Sequence, residues 1–239
     1  FIMGINEWRN EREWPLARTR WQKAYFDSEG KGNSLLGNGR LSGKEPQGAE
    51  VDQYVYDPRY PVQTLGGNNC CSPDIVPWGP HDQRAAEMRS DVLCYTSELL
   101  EADLEVTGPI EVVLYAATDG TDTDWTAKLV DVSPTGYARN LCDGILRARF
   151  RESLSEPTLV DPGKVYEYRI DVGVTGNVFL KGHRIRVEIS SSNFPRFDRN
   201  PNTGHEFGVD AEMRQARQTI YHSKEYPSHI LLPVIPGLE

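Results

Sequence analysis

The sequence predicts an all-β fold, a β-sandwich of the jelly-roll type, and three observations carry that reading. Short segments with period-2 alternation follow one another at close intervals, and turn formers separate them. No segment keeps helical periodicity over three turns, apart from a faint pattern at 209–216. Many short strands punctuated in this way fit two packed antiparallel layers better than any helical architecture.

Taken in order, residues 1–5 (Phe-Ile-Met-Gly-Ile) read as a buried strand, and 19–26 as a short strand after the break at Trp14-Pro15. Residues 31–48 are rich in Gly, Ser, Asn and Lys without periodicity, which predicts an exposed loop or hairpin end. The run 53–56 is extended and stopped by Pro58; 61–89, with its prolines and the Gly66-Gly67 pair, is expected to be irregular. Strands are then predicted at 92–97, 110–118, 125–132, 137–142, 145–150, 165–172, 218–222 and 229–234. Asp143-Gly144 is read as a tight hairpin turn. Residues 110–117 are apolar on both faces, as in a central strand. The clearest alternation is at 185–190: Ile185, Val187 and Ile189 point one way, while Arg184, Arg186, Glu188 and Ser190 form an expected wet face.

That strand runs into a loop, 191–204, built from small residues, aromatics, Pro, Asn and charges. Two readings stand for it. Asn193, Phe194, Arg196, Phe197, Asp198 and Arg199 could form a surface that docks on a neighbouring domain. Alternatively the loop closes on itself through Arg196/Asp198 and Asp198/Arg199 pairs.

The 239 residues include 35 acidic and 26 basic side chains, a formal net charge of −9. Such a balance opposes binding to a phosphate backbone, so nucleic acid is not an expected partner. No apolar run approaches the roughly 18 residues that suggest a membrane helix, so a membrane is not expected either. The four cysteines, Cys70, Cys71, Cys94 and Cys142, are too few for a disulfide scaffold.

The search for chemistry returns little. No serine sits in a Gly-x-Ser-x-Gly elbow; the nearest approach, Gly32 to Gly37 around Ser34, has its second glycine one position late. His81, His183, His205, His222 and His229 show no spacing that pairs them with a carboxylate and a nucleophile, and are read as surface or turn residues. Asp119, Asp122, Asp124 and Asp131 lack the ligand spacing of a calcium loop. Adjacent Cys70 and Cys71, even with His81, are poorly placed to chelate one zinc. No metal or cofactor is therefore expected. Trp78, Trp125 and the tyrosines leave open an independent carbohydrate-binding module, since aromatic platforms stack on sugar rings.

Several runs, in order along nearly the whole chain, carry a resemblance. They include Met3-Gly4-Ile5-Asn6-Glu7-Trp8-Arg9, Tyr54-Val55-Tyr56-Asp57-Pro58, Thr64-Leu65-Gly66-Gly67, and Asp122 to Val132 (DTDWTAKLVDV). Leu141-Cys142-Asp143-Gly144, Asn177-Val178-Phe179-Leu180, Gly182-His183-Arg184-Ile185, residues 190–204 and Pro227-Ser228-His229-Ile230 complete them. The chain resembles the C-terminal part of the cocaine-esterase and X-Pro dipeptidyl-peptidase family of serine hydrolases, which also contains glutaryl acylases and α-amino-acid ester hydrolases. That resemblance implies a galactose-binding-like jelly roll over 50–239, a linker at 28–49, and in 1–27 the terminal strand and exit segment of an α/β-hydrolase domain. It implies a piece of a longer polypeptide, in which the α/β-hydrolase domain is the partner and holds the catalytic Ser, Asp and His. No catalytic residue carries over. The loop after Gly66-Gly67, with Asn68, Asn69, Cys70 and Cys71, maps to the mouth of the family's acyl pocket. A small acyl or peptide substrate would be met only in the intact enzyme.

Overall fold

The computed structural model describes residues 1–70, 73–209 and 211–237. Among them are eleven strands: β1 (Arg20–Asp27), β2 (Arg40–Ser42), β3 (Val51–Tyr56), β4 (Leu93–Thr96), β5 (Leu104–Thr118), β6 (Asp124–Val132), β7 (Ala138–Arg147), β8 (Tyr166–Phe179), β9 (Arg184–Ser190), β10 (Ala216–Tyr221) and β11 (His229–Ile235). One helical turn, α1 (Arg84–Glu87), precedes β4. The hydrogen-bonded order is β3-β10-β5-β11-β1-β2-β4-β9-β6-β7, with β8 along β5. Pairing is antiparallel except where β2 meets β4.

The result is a β-sandwich. Alternation within each strand sends one set of side chains into a shared core: Val112 and Leu114 of β5, Ile170 of β8, Leu129 of β6, Val187 and Ile189 of β9. Rings bridge the layers, Trp125 of β6 meeting Tyr168 of β8 at 5.5 Å and Phe26 of β1 stacking on Tyr95 of β4 at 4.5 Å.

The layer β4-β9-β6 has a second cover. Every residue of β6 is buried, on both faces. The segment 61–92 wraps over the outer face, and Val62, Ala86, Val92 and Cys94 form a small satellite core beneath it, with Leu65 packed against them. The expected wet face of β9 is therefore wrong: Arg186, Glu188 and Ser190 are all buried. The alternation is real, but the wrap takes the place of water.

Four further expectations need correction. Asp143-Gly144 is not a turn; β7 runs straight through it, pairing with β6 on either side of an irregularity between Leu129 and Val130. Glycine is needed there for close approach, since a Cβ on Gly144 would lie 1.9 Å from the Asp171 carbonyl oxygen of β8. The strand expected at 145–150 ends at Arg147 and becomes a 3-10 turn, Ala148–Phe150. No helix forms among the described residues of 209–216; Ala216 instead opens β10. Residues 1–5 make only isolated bridges, Ile2 to Glu7 and Met3 to Asn177, with Phe1 and Ile5 exposed. Residues 20–27 form β1, paired with β11 and β2, and the loop region 31–48 contributes β2.

Because backbone rather than a flexible side chain opposes a side chain at Gly144, Gly144→Ala is expected to destabilise the fold by about 1–3 kcal/mol. A urea titration of both proteins reads this as a lowered midpoint.

Candidate functional site

The outer face of β6 and β9 carries charge that the wrap must satisfy. Lys128 of β6 and Glu188 of β9 are cross-strand neighbours, their side chains 3.6 Å apart. Arg186 donates to Glu87 of α1 at 2.7 Å and to the Thr96 hydroxyl at 2.8 Å. Lys128 donates to the side-chain oxygen of Gln83 at 2.9 Å. Burial pushes the Glu188 carboxyl up to about 8, with Lys128 opposing and Glu87 reinforcing the rise. Neither Glu87 Oε1 nor Glu188 Oε1 finds a donor among the described residues. A proton on Glu188 lets it donate to Glu87.

Gln83 leads from this buried face to the surface. Its amide nitrogen donates to the carbonyls of Leu65 at 2.7 Å and His81 at 3.0 Å. These residues flank a small hairpin in which Gly67 and Gly79 exchange backbone bonds of 2.7 and 2.9 Å. Both glycines have positive φ, which suits residues without a Cβ. Asn69 caps the tip, donating to the Gly66 carbonyl at 2.7 Å.

The structure joins the two groups of residues that the sequence singled out separately. Asn68, Asn69 and Cys70 line a cavity of about 400 Å³ together with Pro195 and Arg196 of the 191–204 loop, and with Ile75 and Val76. A second cavity of about 340 Å³ adjoins it, lined by Met3, Asn68, Asn69, Trp78 and Leu141 among others. Cys71 lies outside the described residues. The two loops are tied by backbone: Thr64 N–H donates to the Phe194 carbonyl, and Phe194 N–H to that of Val62, at 2.7 and 2.9 Å.

The 191–204 loop does not close through its own neighbouring charges. Arg196 donates to Asp143 of β7 at 2.5 Å, where Asn193 also donates at 2.7 Å, while Asp198 takes Arg147 at 3.1 Å. Arg199 donates to the Pro58 carbonyl at 3.3 Å and lies over the Phe194 ring; Arg196 lies over Phe197. The loop thus divides. Pro195 and Arg196 line the cavity with Asn68–Cys70, and Asp198 and Arg199 a smaller cleft of about 180 Å³ beside Arg149 and Phe207. Below that cleft Arg149 and Arg147 pair with Asp122 and Asp124, and Asn200 donates to both carboxylates at 2.9 Å. Burial lifts the Asp124 carboxyl to about 6, against the pull of Arg147 and Asn200.

Sequence spacing also missed one constellation of Ser, His and Asp. His222 Nε2 lies 3.1 Å from both Ser28 Oγ and Asp52 Oδ2, and Tyr95 and the Gly32 N–H donate to Asp52 at 2.8 and 2.6 Å. His222 and His229 are buried, not surface residues. The geometry is not that of a catalytic triad. Serine and aspartate share one ring nitrogen, the Ser28 hydroxyl is 2.8 Å from the carboxylate that would accept its proton, and the whole cluster is buried. Burial opposes ionisation of Asp52, yet the bonds from His222, Gly32 and Tyr95 hold its carboxyl below the ordinary value. It ties β1, β3, β4 and β10 together from within.

Comparisons with known proteins identify relatives. The profile of the X-Pro dipeptidyl-peptidase C-terminal non-catalytic domain matches residues 1–231. The chain is 48% identical to cocaine esterase of Rhodococcus sp. (strain MB1 Bresler) over 98% of its own length and 41% of that protein. Among solved structures it superposes with a TM-score of 0.86 on an aminopeptidase of a marine-sediment Thaumarchaeota archaeon, at 32% identity, covering 98% of this chain and 39% of that one. An α-amino acid ester hydrolase gives 0.78 at 32% identity, covering 89% and 36%. The chain therefore spans about two fifths of the relatives it matches.

A carboxyl held protonated by burial binds a proton that the unfolded chain gives up near pH 4.5. Its contribution to stability is full below pH 4.5 and is lost as pH rises through about 8. Glu188→Gln cannot lose that proton. Relative to the parent, its urea midpoint is expected to rise steadily from pH 4.5 to pH 8.5, and a difference independent of pH would contradict the assignment.

Proposed function

The chain belongs to the X-Pro dipeptidyl-peptidase C-terminal non-catalytic domain family, and on that premise we propose that it is the accessory β-sandwich of a serine hydrolase cleaving esters or amides. In this reading an α/β-hydrolase domain of the same polypeptide supplies the catalytic Ser, His and Asp. The sandwich covers one side of the active site, lends its rim to the acyl pocket and supports the packing of the two domains. Residues ahead of β1 lead in from that domain, and the sandwich proper takes the jelly-roll, galactose-binding-like form.

One observation carries the reading. The hairpin tip at Asn68–Cys70 and the Pro195–Arg196 corner, far apart in sequence, meet around one cavity, and Met3 from the start of the chain lines the cavity beside it. In this reading the surface where residues 1–5 and the two loops converge faces the α/β-hydrolase domain. Exposed apolar side chains share that end: Phe1 packs edge-on against Trp8, itself 84% exposed, and Trp78 and Ile75 are exposed on the hairpin. Apolar surface of this kind is worth about 25 cal/mol per Å² once a partner covers it. Arg9 is anchored to Glu105 of β5 by paired bonds of 2.8 and 2.5 Å, which fixes the direction of the incoming segment.

Two measurements test this. The 239-residue chain alone is expected to hydrolyse p-nitrophenyl acetate no faster than buffer, and turnover above background would contradict the non-catalytic assignment. In the intact hydrolase, Asn69→Trp fills the rim. It is expected to lower kcat/KM for a p-nitrophenyl ester of a bulky acid about tenfold or more, with a much smaller effect on the acetate. Equal effects on both esters would remove Asn69 from the pocket.

A further inference from the structure

We propose that Gln83 is the positioning residue of the pocket rim, holding the Gly66–Gly79 hairpin at its base and taking its own orientation from the buried ammonium of Lys128. The proposal rests on the rim reading above for its bearing on substrate, though not for its structural part.

The argument starts from what each group can donate or accept. Lysine offers only donors, so the Gln83 oxygen must face Lys128, at 2.9 Å. The amide cannot flip without setting its NH2 against the ammonium, and its two hydrogens therefore point the other way. There they meet two carbonyls, Leu65 at 2.7 Å and His81 at 3.0 Å, one on each side of the Gly67–Gly79 bridge. All the hydrogen-bonding groups of this side chain are used, in one arrangement. Gln83 is fully buried, and its backbone N–H donates to the Ala138 carbonyl of β7 at 2.8 Å, so the clamp is attached to the sheet as well.

Lys128 is held in turn. It sits beside Glu188 at 3.6 Å, with Arg186 and Glu87 paired close by, all buried. A glutamine is the side chain this junction requires. Glutamate in its place would satisfy Lys128 but would turn a second oxygen toward two carbonyl oxygens. Methionine would leave the carbonyls without these donors and the ammonium with Glu188 in place of two partners. Rim geometry is in this way set by a residue that does not line the cavity.

The test uses Gln83→Glu and Lys128→Met. The first keeps a partner for Lys128 while breaking the clamp. The second keeps the clamp's donors while releasing its orientation, and does not depend on the first variant folding. In the 239-residue chain, amide exchange followed by NMR is expected to quicken about tenfold at Gly67 and Gly79 in Gln83→Glu and less in Lys128→Met. Amides of β5, such as Val112, should change less than twofold. Unchanged exchange at the two glycines, or equal quickening throughout the sandwich, would overturn the proposal. In the intact hydrolase, KM for the bulky ester is expected to rise about fivefold in Gln83→Glu with kcat altered less than twofold. If Asn69→Trp changes KM and Gln83→Glu does not, the link from clamp to pocket is wrong. If neither changes it, the rim reading fails, and the exchange result alone decides the clamp.

Discussion

The structure turns on a face of charged side chains that sits out of water. Arg186 and Glu188 on β9 and Lys128 on β6 would be ordinary on an exposed sheet, but segment 61–92 lies over them. Removing a charge from water costs several kcal/mol unless partners replace the lost hydration. The covering segment accordingly supplies Glu87 for Arg186 and Gln83 for Lys128, and Glu188 gives up its charge by holding a proton. Irregular in backbone, the wrap is specified by the electrostatics of what it covers. A segment with little regular structure besides the single turn of α1 thereby gains a fixed position, and the Gly67–Gly79 bridge inherits it.

Two tethers converge on that hairpin from opposite sides. Gln83 holds its base from the charged face. Arg196, whose guanidinium would sit 3.1 Å from a Cβ placed on Gly67, ties the neighbouring loop to Asp143 of β7. Asp143 sits next to Gly144, where β7 and β8 come together backbone to backbone. The cavity at Asn68–Cys70 is thus referenced to both β6 and β7, while its lining residues remain at the surface. The cluster of Ser28, Asp52, His222 and Tyr95 works on the same principle at another corner: polar groups satisfied by one another and shut away from solvent give a unique arrangement.

Most strands were legible because their inner faces alternate. Ile185, Val187 and Ile189 are in the core as the pattern requires. What period-2 alternation cannot tell is whether the polar side meets water or another segment, so Arg186 and Glu188 were misplaced on a wet face. Asp143-Gly144 looked like a turn because that dipeptide serves turns well; here the aspartate receives Arg196 and Asn193, and the glycine admits β8. Both demands come from residues distant in sequence. The same holds for the site. Asn68–Cys70 and Arg196 were each singled out, yet no local signal said that they share a cavity. Gln83 lies in none of the runs that carry the resemblance, and Lys128 lies in one, Asp122 to Val132, without being singled out. Their roles follow only from donor and acceptor counting once β6 and α1 are in place.

The most direct measurement of the account is a crystal structure of the intact hydrolase with a boronic acid bound as an acyl transition-state mimic. The account requires Asn69 or Cys70 within van der Waals reach of the mimic's acyl group, with the hairpin in the position described above. A structure in which that hairpin faces solvent, away from the catalytic serine, would contradict it.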